Sequence, residues 1–233
     1  MTALKWDETG TRKYETGVKS CALYPYGTTG YQTGVAWNGI TSITESPDGA
    51  EPTDLYADDI KYATLRSAET LGGTIEAYTY PDEWAECDGS AEIADGVFIG
   101  QQARKMFGLA YKTSIGDDTS SDVTGYKLHI VYSATASPSD RQYETINDSP
   151  DAITFSWEYT TTAVAFTTEA FKNYKPTSLI TIDSTKVNKS QLETLEATLF
   201  GGVGTDPTLP SPDEVLAVFT PSGATGATGS TGA

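Results

Sequence analysis

The chain is short of the residues on which most enzyme chemistry depends. Its 233 residues hold a single histidine and two cysteines. Cys21 and Cys87 are too few for a disulfide scaffold and lack the paired spacing of a zinc site, so both are read as reduced and structural. Bases are scarce as well: 15 Lys and Arg stand against 32 Asp and Glu, a formal net charge of -17. Proteins that grip nucleic acid neutralise its phosphates with Lys and Arg, so this balance argues against a DNA- or RNA-binding module. Its plainest consequence is a solubilising surface. Long apolar runs are also missing. Mean hydropathy is -0.34, and stretches such as residues 163–166 fall far short of the roughly 20 residues that span a bilayer. Residues 1–10 are polar, without a basic stretch leading into an apolar one. The expectation is a protein made and used in a cytosol, with no membrane partner.

The familiar catalytic signatures are absent too. There is no G-x-S-x-G, H-E-x-x-H, Walker loop or G-x-G-x-x-G. His129 lies in an alternating segment and is expected on a surface-facing strand position, since neither cysteine has the context of a nucleophile. The acidic pairs Asp58-Asp59, Asp117-Asp118 and Asp82-Glu83 supply neither two carboxylates separated across a cleft nor a calcium loop. Trp6, Trp37, Trp84 and Trp157 suit a sugar-stacking platform, but core or interface packing is the commoner use of tryptophan. No catalytic, cofactor-binding or metal residue is assigned, and the chain is read as a non-enzyme without a cofactor.

What the chain does have is 14 Tyr, 22 Gly and many Thr, a composition for strands separated by turns. Alternation is clearest over residues 126–132, where Tyr126, Leu128, Ile130 and Tyr132 share one face. Similar segments cover 74–80, 97–101, 105–112, 153–159 and 178–183, which predicts a mainly β sandwich or barrel. One flanking helix is expected over 191–200. Ser190 and Glu193 give it a capping box, Leu192, Leu195 and Leu199 a stripe for covering a sheet, and Gly201 a stop. A weaker helical turn is expected at 81–87. Residues 43–59, acidic and interrupted by Pro47, Gly49 and Pro52, read as a long loop suited to reaching a neighbouring subunit. Residues 215–219 suit a final strand. The folded domain is thus placed at 1–219. At 220–233 a tail with Gly223, Gly226, Gly229 and Gly232 reads as a flexible Gly/Ala/Thr tether, too short and too poor in proline for a collagen helix.

Several strings together resemble a known family. Near the start stand Lys13-Tyr14-Glu15-Thr16-Gly17-Val18, Gly34-Val35-Ala36-Trp37-Asn38-Gly39 and Ser46-Pro47-Asp48-Gly49-Ala50-Glu51. Leu55-Tyr56-Ala57-Asp58-Asp59-Ile60-Lys61-Tyr62 and Thr74-Ile75-Glu76-Ala77-Tyr78-Thr79-Tyr80 come next. Ile146-Asn147-Asp148-Ser149-Pro150-Asp151 and Leu179-Ile180-Thr181-Ile182-Asp183-Ser184 follow. Over about residues 6–200 the chain resembles the major tail proteins, or tail tube proteins, of long-tailed, non-contractile bacteriophages.

The resemblance implies a β-sandwich-like subunit that forms hexameric rings stacked into a hollow tube. Such a tube is part of the virion tail, assembled in the host bacterial cytoplasm beside tape measure, distal tail and tail terminator proteins. Genome DNA passes through its lumen without specific binding. The family has no catalytic residues to carry over. The Gly-rich end stands where some relatives carry an immunoglobulin-like domain, so an adhesive role for such a domain does not carry over. A negative lumen that repels phosphate is the use this reading gives to the charge. The runner-up from the residues is an extracellular carbohydrate-binding or adhesin β-module.

Overall fold

The structure, a computed structural model, describes residues 3–49, 52–65, 69–119, 123–143, 145 and 152–220. Their first strands are β1 (Lys13–Pro25), β2 (Val35–Trp37), β3 (Ile40–Asp48), β4 (Thr53–Ala57), β5 (Ile60–Leu65) and β6 (Thr70–Ala77). After the short helix α1 (Trp84–Cys87) come β7 (Ala91–Ala94), β8 (Val97–Ile99), β9 (Phe107–Asp117), β10 (Gly125–Ala136), β11 (Phe155–Thr161) and β12 (Leu179–Asp183). Two helices follow, α2 (Lys189–Phe200) and α3 (Pro212–Phe219). The mainly β expectation holds.

Eight strands form one antiparallel sheet in the order β2-β1-β9-β10-β11-β6-β3, with β12 also paired to β10. β10 therefore serves two partners along one edge: residues 127–131 pair with β12 and residues 134–136 with β11. The change of partner falls at Ser133, whose φ of 48° places it in the left-handed region. There β10 also carries one residue more than β9 between Val131 and Ala134. β1 has two such irregularities against β9, around Gly17 and Ser20, and β3 has one against β6. Bulges increase local twist and bend. The sheet accordingly curls until β3, at one end of the pairing order, comes back against β1.

Curling gives the sheet two differently covered faces, and strand alternation assigns residues to them. Inward, Leu23, Trp37, Ile75, Trp84, Phe107, Leu109, Val131, Trp157 and Tyr159 form an aromatic core. Trp84 sits at its centre, 4.6 Å from Trp37, 4.9 Å from Phe107 and 5.4 Å from Trp157 between ring centroids. Outward, Ala22, Tyr24, Ala110, Leu128, Ile130 and Tyr132 lie under α2 and α3, which contribute Leu192, Leu195, Leu199 and Val215. The Tyr24 hydroxyl donates to the Leu199 carbonyl at 2.6 Å, satisfying one of the free carbonyls of the last helical turn.

Four expectations need correction. Residues 43–59 are not a long loop: β3 runs to Asp48 and β4 begins at Thr53, with residues 50 and 51 outside the described residues. Pro47 fits because β3 is an edge strand, where a missing N–H costs no ladder bond. Residues 215–219 are helix, not strand, because Ser211 and Glu214 form a capping box and Pro212 opens α3. The single flanking helix thus becomes α2 and α3, besides the short α1 that the turn at 81–87 anticipated. α2 starts earlier than expected, with Asn188 rather than Ser190 as its cap, accepting from the Ser190 N–H. Its leucine stripe and its stop at Gly201, φ 79°, are as expected. The tail at 220–233 lies outside the described residues beyond Thr220.

Candidate functional site

The chemically suggestive residues are either buried in the core or dispersed over the surface. His129 is a correction: it is 9% exposed, not surface-facing, and points into the curled sheet with Val131. Both faces of β10 are covered, so the face opposite Leu128 and Ile130 is interior as well. Glu45 of β3 reaches across to it. His129 Nδ1 lies 3.0 Å from Glu45 Oε1, and the Tyr111 hydroxyl donates to the same oxygen. On the far side of the ring, Nε2 is 3.1 Å from Thr113 Oγ1, and the Tyr111 ring stacks on the imidazole at 4.8 Å. Nδ1 thus faces the Glu45 carboxylate and Nε2 the Thr113 hydroxyl.

The order hydroxyl, imidazole, carboxylate is that of a nucleophile relay. Catalysis also requires a substrate cleft at the hydroxyl, and neither Thr113 nor His129 lines any of the clefts between β1 and α2, beside α1, between α2 and α3, or beside α3. The cluster instead bridges β3 to β9 and β10 across the interior, closing the curl. The hydrogen bond from His129 holds the Glu45 carboxyl below its ordinary value; burial opposes this, and the Tyr111 bond adds to it.

The other polar candidates are dispersed. Asp58 and Asp59 form the turn between β4 and β5. Asp118 accepts from the Gly10 N–H, and Asp117 from the Thr119 N–H. Asp82 and Glu83 precede α1. Cys21 and Cys87 are free and buried, and burial pushes both thiols up to about 12, away from reactive thiolate. Trp37, Trp84 and Trp157 are in the inner core, and only Trp6 is exposed. Among the described residues no group of three His, Cys, Asp or Glu is placed to hold a metal, and no helix is long and apolar enough to cross a membrane.

The unusual surface is apolar, and it sits on projections from the body. β4 and β5 pair as a hairpin outside the main sheet, and no residue of either strand is buried. Positive φ at Asp58 and Asp59, 50° and 61°, gives the primed turn that matches strand twist. Register sorts the side chains. Leu55 faces Ala63, Ala57 faces Ile60, and Thr53 faces Leu65, which makes one face almost wholly apolar. The opposite face carries Asp54, Lys61 and Thr64, joined by a 2.8 Å ion pair and a 2.7 Å hydrogen bond. Tyr62 is the extra residue at the bulge and is 74% exposed.

Two smaller projections have the same character. The β7–β8 hairpin exposes Ile93, Val97, Phe98 and Ile99. Before β1, an arm tied down by Gly10 and Arg12 to Asp118 leaves Leu4 and Trp6 in solvent. Scattered surface hydrophobes are ordinary, but contiguous ones on projecting elements mark interaction surfaces. A two-stranded hairpin is marginal in water by itself and gains stability from a partner. Sequence reasoning singles out 43–59 as suited to reaching a neighbouring subunit but reads it as a loop, and so misses the paired strands and their apolar face. The alternation of Leu55 and Ala57 with Asp54 and Tyr56 was its signal. The chain matches no family model, and no curated protein matches it.

Proposed function

We propose that the chain is a self-assembling structural subunit, the major tail protein of a long-tailed, non-contractile bacteriophage. In this reading it forms hexameric rings that stack into a tube for genome delivery. The observation that carries the self-assembly is the β4–β5 hairpin, whose face of Leu55, Ala57, Ile60, Ala63 and Leu65 is left unburied among the described residues, Ala63 alone being partly covered. Ring and tube, rather than some other assembly, rest on the resemblance of the sequence strings. β2 and β3 end the pairing order, and with β3 turned back against β1 the edge of β2 is the one that invites pairing, which a closed ring would remove. The net charge of -17 suits a channel that lets DNA slide without sticking. The burial of His129, Cys21 and Cys87 favours a structural over an enzymatic reading. The carbohydrate-binding alternative loses its tryptophan platform, because three of the four tryptophans are core residues.

Negative-stain electron microscopy of the purified protein, fresh and after concentration, tests this. Six-fold rings or hollow tubes of constant diameter are expected. Particles of another symmetry, or monomers that bind a glycan panel, would overturn it.

A further inference from the structure

Resting on that self-assembly reading, we infer that the β4–β5 hairpin of one copy docks into an apolar groove beside α3 on a second copy. The groove, about 500 Å³, is lined by Phe166, Tyr174, Lys175, Ile180, Leu216 and Phe219. It lies on the helix-covered side of the fold, where Ile180 and Phe219 pack partly against the outer core and leave the rest of their surface open. Aromatic and aliphatic walls of this kind take an apolar insert.

The hairpin has the complementary form. Its apolar face is continuous from Leu65 to Ile60, and at about 3.3 Å per residue that face runs roughly 17 Å from base to tip. The Asp54–Lys61–Thr64 network occupies the other face and fixes which side stays apolar. Charge completes the match. Asp58 and Asp59 at the tip make no ion pair with any described residue, and neither does Lys175 at the groove. Lys175 is the charged residue among those that line the groove. It is also the partner an acidic turn requires. The chain's own end is the competing occupant, since Thr220 lines the groove. Residues 221–233 contain only Pro, Ser, Gly, Ala and Thr, and offer no large apolar side chain to fill it.

Cross-linking the full chain tests the docking, because Cys21 and Cys87 are buried and spare the introduced thiols from competition. Ala57→Cys and Tyr174→Cys proteins, prepared separately and mixed under assembly conditions, are treated with a short bis-maleimide. The expected product is a dimer joining one of each, identified by its cross-linked peptide. Lys175→Glu should raise the concentration needed for assembly about tenfold, and Asp59→Lys in the same chain should restore it. Rings or tubes that form without the cross-link and ignore Lys175→Glu would overturn the docking and leave the proposed function standing. A wild-type chain that stays monomeric by sedimentation and microscopy would overturn both. A cross-link that appears only after truncation beyond Thr220 would make the tail the native occupant and overturn the docking.

Discussion

β9 and the β4–β5 hairpin are built from the same materials, antiparallel pairing with tyrosine and aliphatic residues at alternate positions, and they end in opposite environments. In β9 the first five residues, Phe107 to Tyr111, are all buried, because the aromatic core lies on one side and the α2–α3 layer on the other. In β4 every residue is exposed, and in β5 only Ala63 is partly covered. Strand chemistry therefore sets the local conformation in both, while the number of covered faces sets what each contributes. The body has two faces covered from within the chain and carries the stability. The hairpin has none and leaves its apolar face to solvent.

That division is broken most sharply from the side of the body. Trp157 is 1% exposed and touches Trp37, Trp84, Tyr80 and Phe155. Trp157→Ala should cost about 3–5 kcal/mol and lower the melting temperature by roughly 10 °C, followed by circular dichroism. A change under about 1 kcal/mol would mean that the inner core is not where stability resides. Gly73→Ala comes next. A Cβ at Gly73 would stand 2.3 Å from the Thr44 carbonyl oxygen and 2.4 Å from the Tyr159 hydroxyl, so β3, β6 and β11 would have to separate. Overpacking of this kind costs about 1–3 kcal/mol, read from the denaturation midpoint.

The clasp that closes the curl sharpens the comparison with a smaller effect. Glu45 has its carboxyl held below the ordinary 4.5, so the unfolded chain binds its proton at a higher pH than the folded one. Its contribution is complete above about pH 4.5 and is lost as pH falls through the lower folded value. Unfolding followed from pH 6 to pH 3 should show stability falling in that window, and Glu45→Gln should flatten part of the slope. Because the clasp belongs to the body, the same substitution should leave hydrogen exchange in β4 and β5 unchanged. Altered exchange there would link two regions that the structure keeps apart.

The difference between the regions also explains what could be read in advance. Strands β6 and β9 to β12 were legible because residues such as Leu128, Ile130 and Tyr132 recur at every second position, and α2 because Leu192, Leu195 and Leu199 keep helical spacing. His129 misled because alternation says that two faces differ without saying that either is wet. Here the second face is covered only through curling, which depends on bulges at Gly17, Ser20 and Ser133 that leave no strong local mark. α3 was legible and missed: Ser211, Pro212 and Glu214 spell its start, yet the apolar run after them suggested a strand. The hairpin was hidden by composition, since acids and prolines around Asp48 and Pro52 resemble a loop. Its apolar face emerges only once register places Ile60 beside Ala57.

The smallest effect on stability should come from the hairpin itself, and it is the most informative. Ile60 is 64% exposed and Leu55 is 41% exposed, so replacing both with serine removes little that the free subunit buries. Each change should alter the unfolding free energy by no more than about 0.5 kcal/mol, the usual range for surface positions without special contacts. The Asp54–Lys61 pair on the other face stays in place, so the hairpin keeps its register. Assembly should nevertheless fail, because the apolar area that a neighbour would cover is gone. Sedimentation velocity and negative-stain images of the double variant, beside a melting curve matching the wild type, would separate the two roles in one protein. If the variant assembled as readily as the wild type, the hairpin face would be surface without a partner, and the contacts would have to lie on β7–β8 or the arm that carries Leu4 and Trp6.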